Sequence, residues 1–154
     1  MDRDSTARAV SAVSGRWSEL VAHAETVAEE YRDDGWDPLV VHTGDVTPLF
    51  DDPFGLDVLS PGSEFEGVKA LSDDVRFDTS HVYRGEEGSV RFLLIVAEAS
   101  EERRSVLVPA YLSLEDVPRL EKRAREEGAM YTHIRPLSDD ARVTFTHEDP
   151  EPFF

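Results

Sequence analysis

The five histidines are the side chains best suited to chemistry near neutral pH, because imidazole can act there as a base or as a metal ligand. No two of them have the spacing of an HxH, HxxxH or HExxH motif. His133 and His147 could still meet, since the sequence predicts that they lie on the two strands of a hairpin. Pairing Ile134 with Phe145 aligns the apolar faces of these strands and puts the imidazoles on opposite faces, although a slip by one residue would bring them together. We therefore expect no shared metal site, with His147 partly buried and His133 in solvent.

Carboxylates are a second source of chemistry, because Ca²⁺ and Mg²⁺ prefer oxygen ligands. Four aspartates lie close together in the sequence: Asp45, Asp51, Asp52 and Asp57. Their spacing differs from that of an EF-hand, and a chain with 33 acidic residues brings carboxylates together by chance. The sequence also lacks a GxSxG elbow and the GxGxxG and GxxxxGKS/T phosphate loops. We expect no catalytic residue, no metal and no cofactor.

The charge is strongly unbalanced, with 33 acidic residues against 16 basic ones and a formal net charge of −17. Lys69 and Lys122 are the only two lysines, and the other basic residues are arginines. Repulsion between like charges is costly in dilute solution, but in molar salt the Debye length falls to about 3 Å and the repulsion is mostly screened. The composition indicates a cytoplasmic protein of a salt-adapted organism, and an ordinary acidic protein of a mesophile is the alternative.

Several classes of protein are disfavoured by composition. No stretch approaches the roughly 20 apolar residues that span a bilayer, and no apolar segment near the start predicts a secretory signal. The absence of cysteine excludes disulfides, thiolate metal sites and a cysteine nucleophile. Nucleic-acid binding is disfavoured because neutralisation of phosphates supplies most of its affinity, and this chain is acidic.

The acidity, the preference for Arg over Lys and the ending MYTHIRPLSDDARVTFTHEDPEPFF resemble a family of small, acidic, uncharacterised proteins of halophilic archaea. The resemblance extends over most of the chain. It implies a cytoplasmic location and a single domain. The family has no known activity, so the resemblance transfers no functional residue to this sequence.

The strand-forming centre is residues 89–112, where two runs rich in Val, Leu and Ile flank a polar hexad. An alternating segment precedes it and is joined to it by the turn at residues 85–88. Helices are predicted at residues 5–32, from the capping box that starts at Ser63, and at residues 116–128, with short strands between and after them. We predict one α+β domain over residues 1–147, with a mainly antiparallel, meander-like sheet, a long N-terminal helix and two shorter helices. Residues 148–154 form an acidic tail containing proline and phenylalanine.

Two features could contact a protein partner or a second copy of the chain. The tail ends in Phe153 and Phe154, which are costly to expose to water, and the stripe of helix 1 that contains Trp17 also fits a short coiled coil. The alternatives are that the tail and the helix pack on the chain's own sheet. The favoured hypothesis is a non-enzymatic protein-interaction or regulatory module. The alternative is a small enzyme or ligand-binding domain with a pocket between the sheet and helix 1, and its candidate residues are His81, Tyr83, Tyr111 and His133.

Overall fold

The computed structural model describes residues 3–137 and 141–154. Over these residues the chain forms three α-helices, two four-stranded sheets and a short 3₁₀ helix. The helices are α1 (Arg3–Asp33), α2 (Gly62–Asp74) and α3 (Val117–Glu127), and the 3₁₀ helix is Glu151–Phe153. None of the described helices is long and apolar enough to span a membrane. The predicted α+β class is confirmed.

Sheet A contains the predicted strand-forming centre. Strands β4 (Thr79–Glu87), β5 (Val90–Ala99) and β6 (Arg104–Ser113) form an antiparallel meander. Strand β1 (Asp37–Val40) adds to β6 in parallel, which gives the order β1-β6-β5-β4. β4 is therefore an edge strand of this sheet. Pro109 in β6 pairs with Leu94 of β5, and β1 pairs only with residues 104–107, so at Pro109 no described strand pairs with the other side of β6.

Sheet B has the order β2-β3-β7-β8 and joins strands from distant parts of the sequence. They are β2 (Asp45–Phe50), β3 (Phe54–Leu59), β7 (Met130–Arg135) and β8 (Val143–His147). β3 and β7 run parallel, whereas the two outer pairs are antiparallel. Both sheets are thus mixed, and the predicted meander holds only for β4–β6. A parallel pair joins strands through a long connection, so the periodicity of one strand does not reveal its partner.

The core has two parts, one on each face of sheet A. The larger part joins sheet A to sheet B, α2 and α3 and includes Leu56, Phe65, Ile95 and Leu120. The smaller part lies beneath α1, where Ala24, Val27 and Ala28 pack on Leu94, Val96 and Leu107. The part of the apolar stripe between Leu20 and Tyr31 is therefore used within the chain, as the alternative to the coiled coil expects. These contacts hold α1 across the outer face of sheet A.

The tail folds back onto the domain instead of extending from it. The Phe153 side chain is 1% exposed, and the centroid of its ring lies 5.0 Å from that of His147. Arg91 Nη1 donates a hydrogen bond of 3.0 Å to the Phe153 carbonyl oxygen. Phe154 is partly buried beside it. In this conformation Phe153 has no surface to offer a partner, which is the outcome expected of a tail that packs on its own sheet.

Candidate functional site

α1 packs mainly on β1, β5 and β6 and leaves an open groove between itself and the edge strand β4. We call this cavity the α1–β4 groove. Its volume is about 440 Å³, within the range of small-ligand sites. Both walls contribute to its lining, with Arg16, Glu19, Leu20 and His23 from α1, and Tyr83, Arg84, Gly85 and Phe92 from the sheet. The groove lies where the sequence predicted a pocket between the sheet and helix 1.

Tyr83 forms the aromatic wall of the groove. Side chains alternate along β4, so His81, Tyr83 and Gly85 share the side of sheet A that faces α1. The Tyr83 ring meets the His23 ring edge to face, with centroids 5.3 Å apart. Tyr83 is 48% exposed, and within the described residues Leu137, at 79%, is the other exposed large apolar side chain. An exposed ring beside a cavity provides apolar surface that a ligand can cover.

Arg16 supplies a guanidinium at the end of the groove next to Gly85. A Cβ atom at Gly85 would lie 3.1 Å from Arg16 Nη2, so the missing side chain leaves room for the guanidinium. Arg16 Nη1 pairs with Glu19 at 2.9 Å, and both side chains of this pair are exposed. Such a pair contributes little to stability and uses only part of the donor set of arginine. This end of the groove can therefore bind a carboxylate.

A polar cluster ties the other end of α1 to sheet A. Glu98 accepts a hydrogen bond of 2.6 Å from the Tyr31 hydroxyl and lies 3.1 Å from His81 Nε2. Burial, and then the hydrogen bond to Glu98, raises the pKa of Tyr31, so this hydroxyl stays protonated and remains a donor. The cluster fixes the C-terminal half of α1 on the sheet. It holds His81 next to the groove but outside its lining.

Of the four predicted pocket residues, Tyr83 alone lines the groove. Tyr111 lies on the same face of sheet A, but its hydroxyl donates a hydrogen bond of 2.7 Å to Asp45. The centroid of its ring lies 5.6 Å from that of Trp17. Burial, and then the hydrogen bond to Asp45, raises the pKa of Tyr111. Trp17 is partly buried by this contact.

Arg16 and Gly85 were not among the predicted residues, because the contact between them depends on how α1 crosses the sheet.

His133 belongs to sheet B and is 4% exposed, so the prediction that it lies in solvent is wrong. β7 is an inner strand of its sheet, which brings neighbours to both sides of this imidazole. Nε2 donates to the Phe54 carbonyl at 2.8 Å, and the Thr144 hydroxyl donates to Nδ1 at 2.8 Å. Burial is the main cause that lowers the pKa of His133. With both nitrogens occupied and the ring neutral, His133 has a structural role.

The register of the last hairpin differs from the predicted one by two residues. Ile134 pairs with Val143 instead of Phe145. A shift of two residues keeps every side chain on its face, so His133 and His147 lie on opposite faces, as expected. Within the described residues, no group of three or more His, Asp or Glu side chains could hold a metal ion.

His147 forms a contact with a serine that local motifs could not reveal, because the two residues are far apart in sequence. Ser80 Oγ lies 2.7 Å from His147 Nδ1, and Thr132 Oγ1 lies 2.8 Å from Nε2. Ser80 also lines a second cavity, of about 460 Å³, beside the tail. Burial lowers the pKa of His147 to about 4. A base this weak removes a serine proton poorly at neutral pH, so the geometry supports a structural role for this pair.

Asp57 lies apart from the other aspartates of the acidic segment. It is 6% exposed and accepts a hydrogen bond of 2.5 Å from Arg135 Nε, while Arg142 Nη2 lies 3.6 Å from its other oxygen. Asp45 is engaged by Tyr111. Asp45 and Asp57 therefore have different partners in the fold.

The comparisons with known proteins identify a family and no activity. The model of a family of unknown function, DUF7529, matches residues 3–154. No curated protein and no solved structure shows significant similarity to the chain.

Proposed function

The chain belongs to DUF7529, the family of unknown function, and we propose that it is a non-enzymatic binding module for an apolar ligand that bears a carboxylate. The binding site is the α1–β4 groove. The observation that carries the proposal is the presence of a half-exposed aromatic ring, Tyr83, and a guanidinium, Arg16, in one cavity of about 440 Å³. An apolar group would cover the Tyr83 ring while the carboxylate meets Arg16.

The charge of the chain explains why a cation in the groove matters. A net charge of −17 repels an anionic ligand at long range. Arg16 offsets this repulsion locally, and salt screens the more distant carboxylates more strongly than it screens a direct contact. Arginine also presents several N–H donors in a plane that matches a carboxylate. The groove therefore favours a carboxylate over a neutral polar group of the same size.

The surfaces first considered for a partner are occupied within the chain. Trp17 packs on Tyr111, and Phe153 is in the core. A binding role in the groove retains the non-enzymatic hypothesis and places it where the ligand-binding alternative expected a pocket. The low basicity of His147 supports a role without catalysis.

The experiment is an NMR titration of the ¹⁵N-labelled chain with 3-phenylpropionate in about 0.5 M KCl, where the Debye length is short. We expect chemical-shift changes at residues 16–23 and 83–85. The matched control is 3-phenylpropionamide, which has the same shape without the charge and should give much smaller changes. Equal effects of the two compounds, or changes centred elsewhere, would contradict the proposal.

We propose further that the protein works in a salt-rich cytoplasm, as its acidity and low lysine content indicate. Raising KCl from about 0.1 M to about 2 M is expected to raise Tm by on the order of 10 °C, because screening removes repulsion between surface carboxylates. Thermal unfolding followed by fluorescence measures this change. Sorbitol at equal osmolality should have a smaller effect, and an unchanged Tm in KCl would exclude this adaptation.

A further inference from the structure

We infer that the carboxylate held by the groove is the C-terminus of a partner polypeptide, which adds to sheet A as a fifth strand beside β4. This inference rests on the proposed function and names the class of its ligand. It combines three features of the described residues: an open strand edge, an apolar groove beside that edge and a guanidinium at one end of the groove.

Over the part of the chain that the structure describes, no strand pairs with the outer edge of β4, although the 3₁₀ helix of the tail contacts this strand. β4 spans nine residues and pairs with β5 on one side, whereas sheet A ends on its other side. Within the described residues, no backbone hydrogen bond joins residues 79–87 to a segment other than β5. Natural edge strands are often blocked by proline, lysine or a bulge. The β4 sequence TSHVYRGEE contains no proline, its charged residues lie only in its second half, at Arg84, Glu86 and Glu87, and its pairing with β5 is continuous.

The groove runs beside this edge and is closed on its far side by α1. In an added strand, alternate side chains would point toward α1, where Leu20 and Tyr83 offer apolar surface. A free small molecule would use this surface and leave the strand edge unpaired. A polypeptide uses both, because its backbone N–H and C=O groups bond to β4 while its side chains fill the groove.

The chemistry at Gly85 explains why the segment would end there. Arg16 Nη2 lies over Gly85, next to the space that a side chain there would fill, so the guanidinium marks this point of the β4 edge. A terminal carboxylate there would receive charge-assisted hydrogen bonds. Glu19 lines this end of the groove and already pairs with Arg16, so Arg16 balances one added carboxylate, and a further acidic side chain on the partner would be repelled. The fitting segment therefore has an apolar last residue and no acidic side chains.

The test uses fluorescence anisotropy with five-residue peptides of one sequence, Ser-Thr-Val-Thr-Leu, labelled at the N-terminus. We expect the free acid to bind about tenfold more tightly than the C-terminal amide, since a charged hydrogen-bond acceptor is lost. We expect methylation of two alternate backbone nitrogens, on the edge that faces β4, to weaken binding by about tenfold as well. The peptide should also bind more tightly than N-acetyl-leucine, which carries the same last residue and carboxylate.

The outcomes separate this inference from the proposed function. If N-acetyl-leucine binds as tightly as the peptide and methylation has no effect, strand addition is wrong and the small-ligand proposal stands. If no carboxylate binds, both fail.

Hydrogen exchange gives a second measurement, in which the free-acid peptide should slow the exchange of alternate backbone amides of β4. Light scattering tests for a second copy on the same edge, and a dimer that the peptide cannot dissociate would overturn the inference.

Discussion

Replacing Phe153 by alanine is expected to lower the free energy of unfolding by about 3–5 kcal/mol, the usual cost of removing a fully buried phenylalanine ring. Phe153 is 1% exposed and belongs to the larger core, and its ring contacts that of His147. The loss combines the apolar contacts of the ring with the cavity left behind. Chemical denaturation of the wild-type chain and the Phe153→Ala variant in the same salt measures it.

Phe154→Ala is the matched control, because it makes the same change at the next position. Phe154 is only partly buried, so we expect less than half of the loss seen at Phe153. A Phe153→Ala variant with the stability of the wild type would show that the tail does not pack in solution. That result would restore the tail as a surface for a partner.

Acidification from pH 6.5 to pH 4 is expected to destabilise the fold by about 3 kcal/mol through His147 alone. Burial lowers the pKa of His147 to about 4 in the folded chain, against an ordinary value of 6.5. Between these values the unfolded chain binds more protons than the folded chain, so stability falls as the pH falls. The pKa of His133 is also lowered by burial and acts in the same direction. Denaturation curves recorded across this pH range measure how the free energy of unfolding changes with pH.

Two variants test whether His147 causes this change of the free energy of unfolding with pH. His147→Gln removes the titrating group while keeping side-chain donors and acceptors near Ser80 and Thr132, so its stability should depend less on pH. His23→Gln changes an exposed histidine on α1 and is the control for the loss of one histidine. A His147→Gln variant with an unchanged slope would show that other groups cause the acid sensitivity.

The parts of the fold that could be predicted are those set by local sequence. Strands β4–β6 follow from alternation and apolar runs. The turn predicted at residues 85–88 is wrong, because β4 continues to Glu87, which pairs with Val90, and the turn lies at Gly88, whose φ is 61°. α3 has Pro118 in its first turn, and it ends at Gly128, whose φ is 72° and whose N–H bonds to the Ala124 carbonyl at 2.8 Å. Each of these signals acts within a few residues.

The parts that could not be predicted depend on contacts between distant residues. β1 pairs with β6, and β3 pairs with β7, without any trace in the spacing of either strand. The predicted capping box at Ser63 also fails, since α2 starts at Gly62 and no side chain caps it. Glu64 instead binds the backbone N–H and the imidazole of His42. A carboxylate near a helix start was thus used for a tertiary contact.

The groove was predictable in position but not in its chemistry. Tyr83 could be named because strand alternation places it on one face with His81. The roles of Arg16 and Gly85 depend on the angle at which α1 crosses sheet A, which the sequence pattern does not specify. Tyr111 and His133 were grouped with Tyr83 by residue type, and the fold gives them other partners.

The most direct test of the proposed function compares two arginines of α1 that differ mainly in position. Arg16 and Arg32 have side-chain exposures of 44% and 46%, and each pairs with a glutamate three residues away. Arg16 lines the groove, and Arg32 lies near the opposite end of the helix. The affinity for 3-phenylpropionate should fall by about tenfold in Arg16→Gln and stay unchanged in Arg32→Gln. An equal affinity in both variants would show that the groove does not bind the carboxylate through Arg16, and the proposed function would be wrong.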